Sequence, residues 1–350
     1  MRQCLPMIVL ICLCCGCQRF VVRTQNRVAI DGPVDTRVDI PPVSSIAGPV
    51  RPVVVGPSRA AERVAVIDVD GVILNTPFVG PSSVGENPLA LFREKLDAAE
   101  ADGCVKAVVL RINSHGGGVA ACLAMRRDLE RFKARTGKPV VACLLDTACG
   151  GAYYLATAAD QIVAGETTVC GGVGVILNLF NLQDLMAQFN IVPQSIKTGP
   201  LTDIGTSARA IKPEEKQILQ AMADEFYGRL AADIKQARPG LKPENGTTLD
   251  GRIFTTTQAR ARGLVDTVGD LDAAIALAAQ LGGGGGEARP QVVLYRRAND
   301  PAHSIYAVTA NIPLQGAGLF PNLPGLERSK LPAFLSMWQP ELTMEKLGGK

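Results

Sequence analysis

Three glycine-rich runs hold the residues of this 350-residue chain that could do chemistry: Asn113-Ser114-His115-Gly116-Gly117-Gly118, Ala148-Cys149-Gly150-Gly151-Ala152 and Cys170-Gly171-Gly172-Val173-Gly174. A glycine has no Cβ, so its backbone N–H can approach a ligand closely. Where such a run opens a helix, these donors can stabilise the oxyanion of a tetrahedral intermediate or an enolate. Gly116, Gly117 and Gly151 are the nominated donors. Glycines more often serve turns and close packing, so one run would say little; three in one domain point to a site. Cys149 is the nucleophile within the second run, and His115 and Lys197 are rival candidate bases for it. A Cys–His pair is competent where the two come within hydrogen-bond reach. The plain alternatives are a small core residue for Cys149 and a loop histidine without a catalytic role for His115.

The runs sit where an α/β pattern would put a site. Val64 to Val69 is a β-branched run suited to a strand buried on both faces. Asn87-Pro88 starts a helix that extends to about Asp102, with a capping residue followed by proline at the first helical position. Val105 to Ile112 is the next strand and residues 113 to 118 the loop after it. Cys122, Met125, Leu129 and Phe132 then share one helical face, closed by Gly137, and Pro139 to Leu145 is again a strand. This alternation implies parallel strands with functional loops at their C-terminal ends. Asn181 to Phe189, Pro213 to about Ala237 and Leu271 to Leu281 are further predicted helices. Gly282 to Gly286 is a break, Gln291 to Tyr295 is strand-like, and a Pro-rich tail follows to about Trp338, expected to be extended and packed on a neighbour or disordered in part.

Residues 1–17 are expected to be an export signal: Arg2 carries the charge, and Pro6 to Cys17 is an apolar run too short to span a bilayer comfortably. Cys14-Cys15-Gly16-Cys17 resembles a lipoprotein cleavage box, although Leu13 stands one place early. Cys17 is therefore the expected lipid anchor, with ordinary cleavage or an uncleaved anchor as alternatives, and the mature protein is expected outside the cytoplasm, on the periplasmic side of a membrane. Residues 18–61, rich in Pro, Val, Gly and Ser, are expected to be a tether. The formal charge of +3 has no dense Lys/Arg block, which argues against nucleic acid. Beyond the leader, five scattered cysteines argue against a disulfide framework, and Cys104, Cys122, Cys143 and Cys170 are expected in the core. The leader cysteines lack zinc spacing, and no metal or other cofactor is expected.

Val64 to Leu74, Leu110 to Val119, Pro139 to Ala164, Cys170 to Ile176, Ser195 to Gln220 and Asp250 to Ala279 are similar, in order and spacing, to the signal peptide peptidase A (protease IV) family. The resemblance covers about residues 62–282 and leaves 283–350 as a break and tail. It implies one α/β domain of the ClpP/crotonase type, in which stacked ββα units build a parallel sheet and protomers form rings. In that family a serine, activated by a lysine kept neutral by desolvation, cleaves signal-peptide remnants at the membrane. Alignment on Tyr153-Tyr154, and separately on Pro139, puts the serine position at Gly150. The run Lys197-Thr198-Gly199 leads to Thr202-Asp203-Ile204 and puts the lysine position at Thr202. Gly116-Gly117 matches the family's oxyanion loop, with His115 in place of a proline.

The resemblance therefore implies a non-catalytic homologue that acts as a peptide-binding or scaffold subunit, in a homo-oligomeric ring or with an active paralogue. One alternative is an active peptidase using Cys149 with His115 or Lys197. Another is crotonase-like thioester chemistry on the backbone donors, for which the sequence offers no obvious acidic base.

Overall fold

A computed structural model describes residues 48–55, 62–76, 86–242, 248–284, 289–298, 300, 302, 304–307 and 334–338. The expected export signal, Cys17 and the tether up to residue 47 lie outside them.

The β-branched runs become the centre of a sheet. Strand β1 is Arg51–Val55 and β2 is Arg63–Ile73; helix α1, Pro88–Ala101, leads to β3, Val105–Gly118. Helix α2, Val119–Thr136, precedes β4, Val140–Cys149, and the short helix α3, Gly151–Ala156. Next come β5, Gln161–Ala164, β6, Val169–Gly171, α4, Gln183–Gln188, and α5, Pro213–Ala237. The order closes with β7, Ile253–Thr255, α6, Thr256–Ala261, β8, Thr267–Val268, α7, Leu271–Leu281, β9, Gln291–Arg296, and β10, Leu335–Met337.

The sheet runs β1-β9-β2-β3-β4-β5-β8, with β9 to β8 parallel and β1 antiparallel on the edge. Each face has its own apolar layer, because successive strand residues point to opposite sides. On one face Ile67, Leu110 and Ile112 pack with Phe92 and Leu96 of α1 and Met125, Leu129 and Phe132 of α2. On the other, Val66, Val109 and Val141 meet Leu271, Ala274, Ile275 and Ala278 of α7. Local sequence sets the helix ends. The Asn87 side chain accepts from the N–H groups of Leu89 and Ala90, and α2 stops at Gly137 with φ 65°.

The structure differs from the sequence expectations in three places. Residues 51–55, inside the expected tether, form an edge strand on β9, so the sheet extends past 62–282 at both ends. Residues 113–118 are not a loop: β3 continues through them because both of its edges are paired there. Cys104, expected in the core, is exposed in the turn before β3.

Charges are buried under α1. Lys95 reaches Asp68 at 3.0 Å with almost no exposure, a pairing whose rupture would cost about 3–5 kcal/mol by leaving one charge unpaired. Asp70 is pushed up to about 6, chiefly by burial and then by Asp68, with Arg111 opposing. Its raised value favours the folded state at low pH, and that contribution is lost as pH climbs from the ordinary value of 3.8 through about 6. Asp70→Asn should therefore raise stability by roughly 1–3 kcal/mol above pH 6, with the gain fading toward pH 4, as read by denaturant unfolding across pH. A gain independent of pH would contradict this account.

Candidate functional site

β4 ends at Cys149 and α3 begins at Gly151, so the whole change of direction falls on Gly150. Its φ of 54° and ψ of −124° match the first central residue of a type II′ turn, a region that favours glycine. This is the sharp strand-to-helix elbow that lifts a residue above the end of a sheet. Its N–H donates to Gly171 O at 2.8 Å and its carbonyl accepts from Tyr154 N at 3.0 Å. Every residue of α3 is buried. Tyr153 Oη donates to Leu264 O at 2.8 Å, and Tyr154 Oη to Asp233 Oδ2 at 2.6 Å. The two tyrosines thus pin the elbow from below.

The glycine end of β3 faces this elbow. Gly116 N donates to Ser114 Oγ at 3.1 Å, and that hydroxyl donates to Gly71 O at 2.5 Å. Gly117 lies so close to β2 that a Cβ there would run into the Ile73 backbone, which is why this stretch of strand is glycine. Gly151, as the first residue of α3, has an N–H with no partner inside its helix.

Between these elements lies a groove, and the chain's own strand β10 is seated in it. Leu335, Ser336 and Met337 pair antiparallel with Gly118, Gly117 and Gly116. On the far side Leu335 N donates to Ile176 O at 3.0 Å, and Leu335 O accepts in return from Ile176 N at 2.8 Å. Trp338 N donates to His115 O at 2.9 Å and Val119 N to Phe334 O at 3.3 Å. The Ser336 carbonyl lies directly over the elbow: a Cβ built on Gly150 would stand 2.5 Å from its oxygen and 2.7 Å from its carbon. A Cβ on Gly151 would stand 3.2 Å from the same oxygen, and one on Gly116 would collide with it. A peptide carbonyl thus lies against Gly116, Gly150 and Gly151, while the N–H groups of Gly116 and Gly150 are spent on Ser114 Oγ and Gly171 O.

The candidate side chains do not assemble around that carbonyl. The Cys149 thiol is buried, donates to Val169 O at 3.6 Å, and is pushed up to about 12 by burial, with the Cys170 thiol adding to the effect. The His115 ring stacks on Trp338 at 5.7 Å and 27°. Lys197 pairs with Asp203 at 2.6 Å, and Asp203, also held by Arg209, lies well below the usual carboxylate range. Thr202 is exposed in a turn where its N–H donates to Gly199 O at 3.3 Å. Among the described residues no hydrogen bond or ion pair joins 197–204 to Cys149, Gly150 or His115, and no cluster of His, Cys, Asp or Glu could hold a metal.

Residues 132–283 match the family model of peptidase family S49. The chain is 32% identical over 225 residues to Protease 4 of Salmonella typhi, covering 64% of this chain and 35% of the relative. It is 33% identical over 234 residues to the chloroplastic serine protease SPPA of Arabidopsis thaliana, covering 64% and 33%. A putative signal peptide peptidase SppA of Enterococcus faecium is 27% identical over 208 residues, covering 59% and 60%. Residues 132–283 are thus similar to peptidase family S49, and the matched relatives are of the signal peptide peptidase A type. The chain spans about a third of the length of the Salmonella and Arabidopsis relatives.

The largely parallel α/β sheet fits the ClpP-type architecture that the family resemblance implies. The matched stretch contains the elbow, the 170–174 run and the turn at Thr202, but neither the glycine end of β3 nor β10. Sequence reading missed the strand at 335–337. Its available signal was the apolar run Phe334 to Trp338 within a Pro-rich tail, bearing the chain's sole tryptophan.

Proposed function

We propose that this chain is a non-catalytic S49 homologue that holds extended peptides in the groove over Gly150. The reading rests on one observation: a peptide carbonyl sits at the elbow, and the residue beneath it has no side chain with which to attack. Assigning the family's serine and lysine positions to Gly150 and Thr202 comes from the resemblance. The geometry supports the reading further, because neither thiol beside the elbow is poised to attack: Cys149 is buried and turned toward β6, and Cys122 is buried against Gly151, each pushed up to about 12 by burial. At neutral pH a thiol held near 12 leaves about one thiolate in 10⁵, too little for a nucleophile. The thioester alternative gains no support, since no carboxylate hydrogen-bonds to Gly116, Gly150, Gly151 or Ser336 among the described residues.

Assembly is supported by the surface between β6 and α5. Helix α4 buries no residue, and Leu179, Phe180, Leu185, Phe189, Ile191 and Val192 are exposed around it. An apolar patch of that extent marks an interface, which suits a ring of this chain or a shared ring with an active paralogue. Attachment to a membrane on the periplasmic side would come from the N-terminal region, with signal-peptide remnants as the peptides held. Among the described residues no helix is long and apolar enough to cross a bilayer.

Incubated with unfolded fluorogenic peptides, the protein should show no turnover above the blank, and Cys149→Ala should behave identically. Turnover that disappears in Cys149→Ala would make it a cysteine peptidase. By light scattering, wild type should exceed a monomer's mass and the Phe189→Glu/Ile191→Glu variant should fall toward it; a monomeric wild type would remove the assembly reading.

A further inference from the structure

We infer that Gly150 and the segment 334–338 form a matched pair: the groove is a strand-docking slot whose resident ligand is the chain's own tail, and which takes extended peptides with a small residue over Gly150 and aromatic residues two places to either side. The inference rests on the groove being a peptide-binding site and adds which peptide it takes.

The backbone contacts belong to a strand added between two edges. Leu335 bonds Ile176 on one side while 335–337 pair with 116–118 on the other. Such bonds hold any extended chain; selectivity comes from alternate side chains. Residues 334, 336 and 338 share one face of the segment. Phe334 meets Phe226 of α5 edge-on, with ring centres 5.0 Å apart at 87°, and Trp338 stacks on His115. Between them Ser336 is completely buried, and its hydroxyl makes no hydrogen bond among the described residues. The position therefore selects for small size, and an alanine or glycine would fit as well as the serine.

Gly150 completes the match. A Cβ there would stand 2.7 Å from both Ser336 C and Met337 Cα, closer than real Cβ contacts come. The backbone that a nucleophile's side chain would displace is the backbone the tail uses, so the glycine that cannot attack is also what admits the strand. A peptide from outside must compete with a segment tethered in the same molecule, present at an effective concentration on the order of millimolar.

Trp338 is the chain's sole tryptophan, so intrinsic fluorescence of the full chain reads docking directly. Acrylamide should quench wild-type Trp338 several-fold less than in denaturant. Gly150→Ala and, separately, Ser336→Arg should each restore quenching and red-shift the emission, with far-UV circular dichroism unchanged. A fluorescein-labelled peptide with the sequence of residues 332–340 should bind the full-length Ser336→Arg chain. Adding Gly150→Ala should weaken that binding by roughly tenfold or more, as expected for forcing a methyl into a filled contact. Wild-type Trp338 quenched as readily as in denaturant would overturn the resident-strand inference; labelled-peptide binding by Ser336→Arg would then still uphold the groove. Equal peptide binding with and without Gly150→Ala would overturn the match, whereas hydrolysis of the peptide would instead overturn the non-catalytic reading.

Discussion

Strand β3 has to serve as core and as site wall, and the rest of the structure is arranged around that double duty. Its first part, through Ile112, is buried between β2 and β4 and carries apolar side chains to both faces of the sheet. Its last three residues are glycines: Gly116 and Gly117 pair with Val72 and Ile73 on one edge, and all three pair with β10 on the other. Backbone-to-backbone contact as close as that of Gly117 with Ile73 leaves no room for a Cβ. The apolar part anchors the strand, and the glycine part turns the anchored edge into a surface that hydrogen-bonds peptide.

The elbow at Gly150 depends on the same geometry from the other direction. Parallel pairing of β4 with β3 and β6 fixes where the strand ends, and the buried tyrosines of α3 fix where the helix begins. With both ends fixed, the connecting residue must take a positive φ. Electrostatics and burial then decide which side chains are reactive. Cys149 points into the β4–β6 ladder and is neutral there, while Lys197 and Asp203 neutralise one another in the turn near Thr202. What meets the seated strand at the elbow is backbone, that of Gly116, Gly150 and Gly151.

Much of this fold could be read from the sequence because its signals are local. The run from Val64 to Val69 is β2, Asn87-Pro88 opens α1, and Gly137 closes α2. The missed elements are those fixed from far away in the chain. Pro52 within β1 looks like linker, yet an edge strand tolerates a missing N–H. The glycines at 116–118 look like a loop by propensity, and only pairing with strands from both sides makes them extended. Strand β10 lies more than 200 residues from the glycines it pairs with. The direction of the Cys149 side chain turns on a single residue at the elbow, and periodicity does not resolve that. The dyad positions at Gly150 and Thr202 came from family resemblance and from no property of the residues themselves.

The central claim is that the groove over Gly150 is closed by the chain's own strand. Hydrogen exchange of the full chain, followed by mass spectrometry on fragments spanning 334–338, tests it most directly, because the pairing of β10 should shelter its inner amides. The account predicts exchange there far slower than in an unstructured peptide of the same sequence. Exchange at the unstructured rate, with β3 and β4 still protected, would mean that the groove is open and the account of it is wrong.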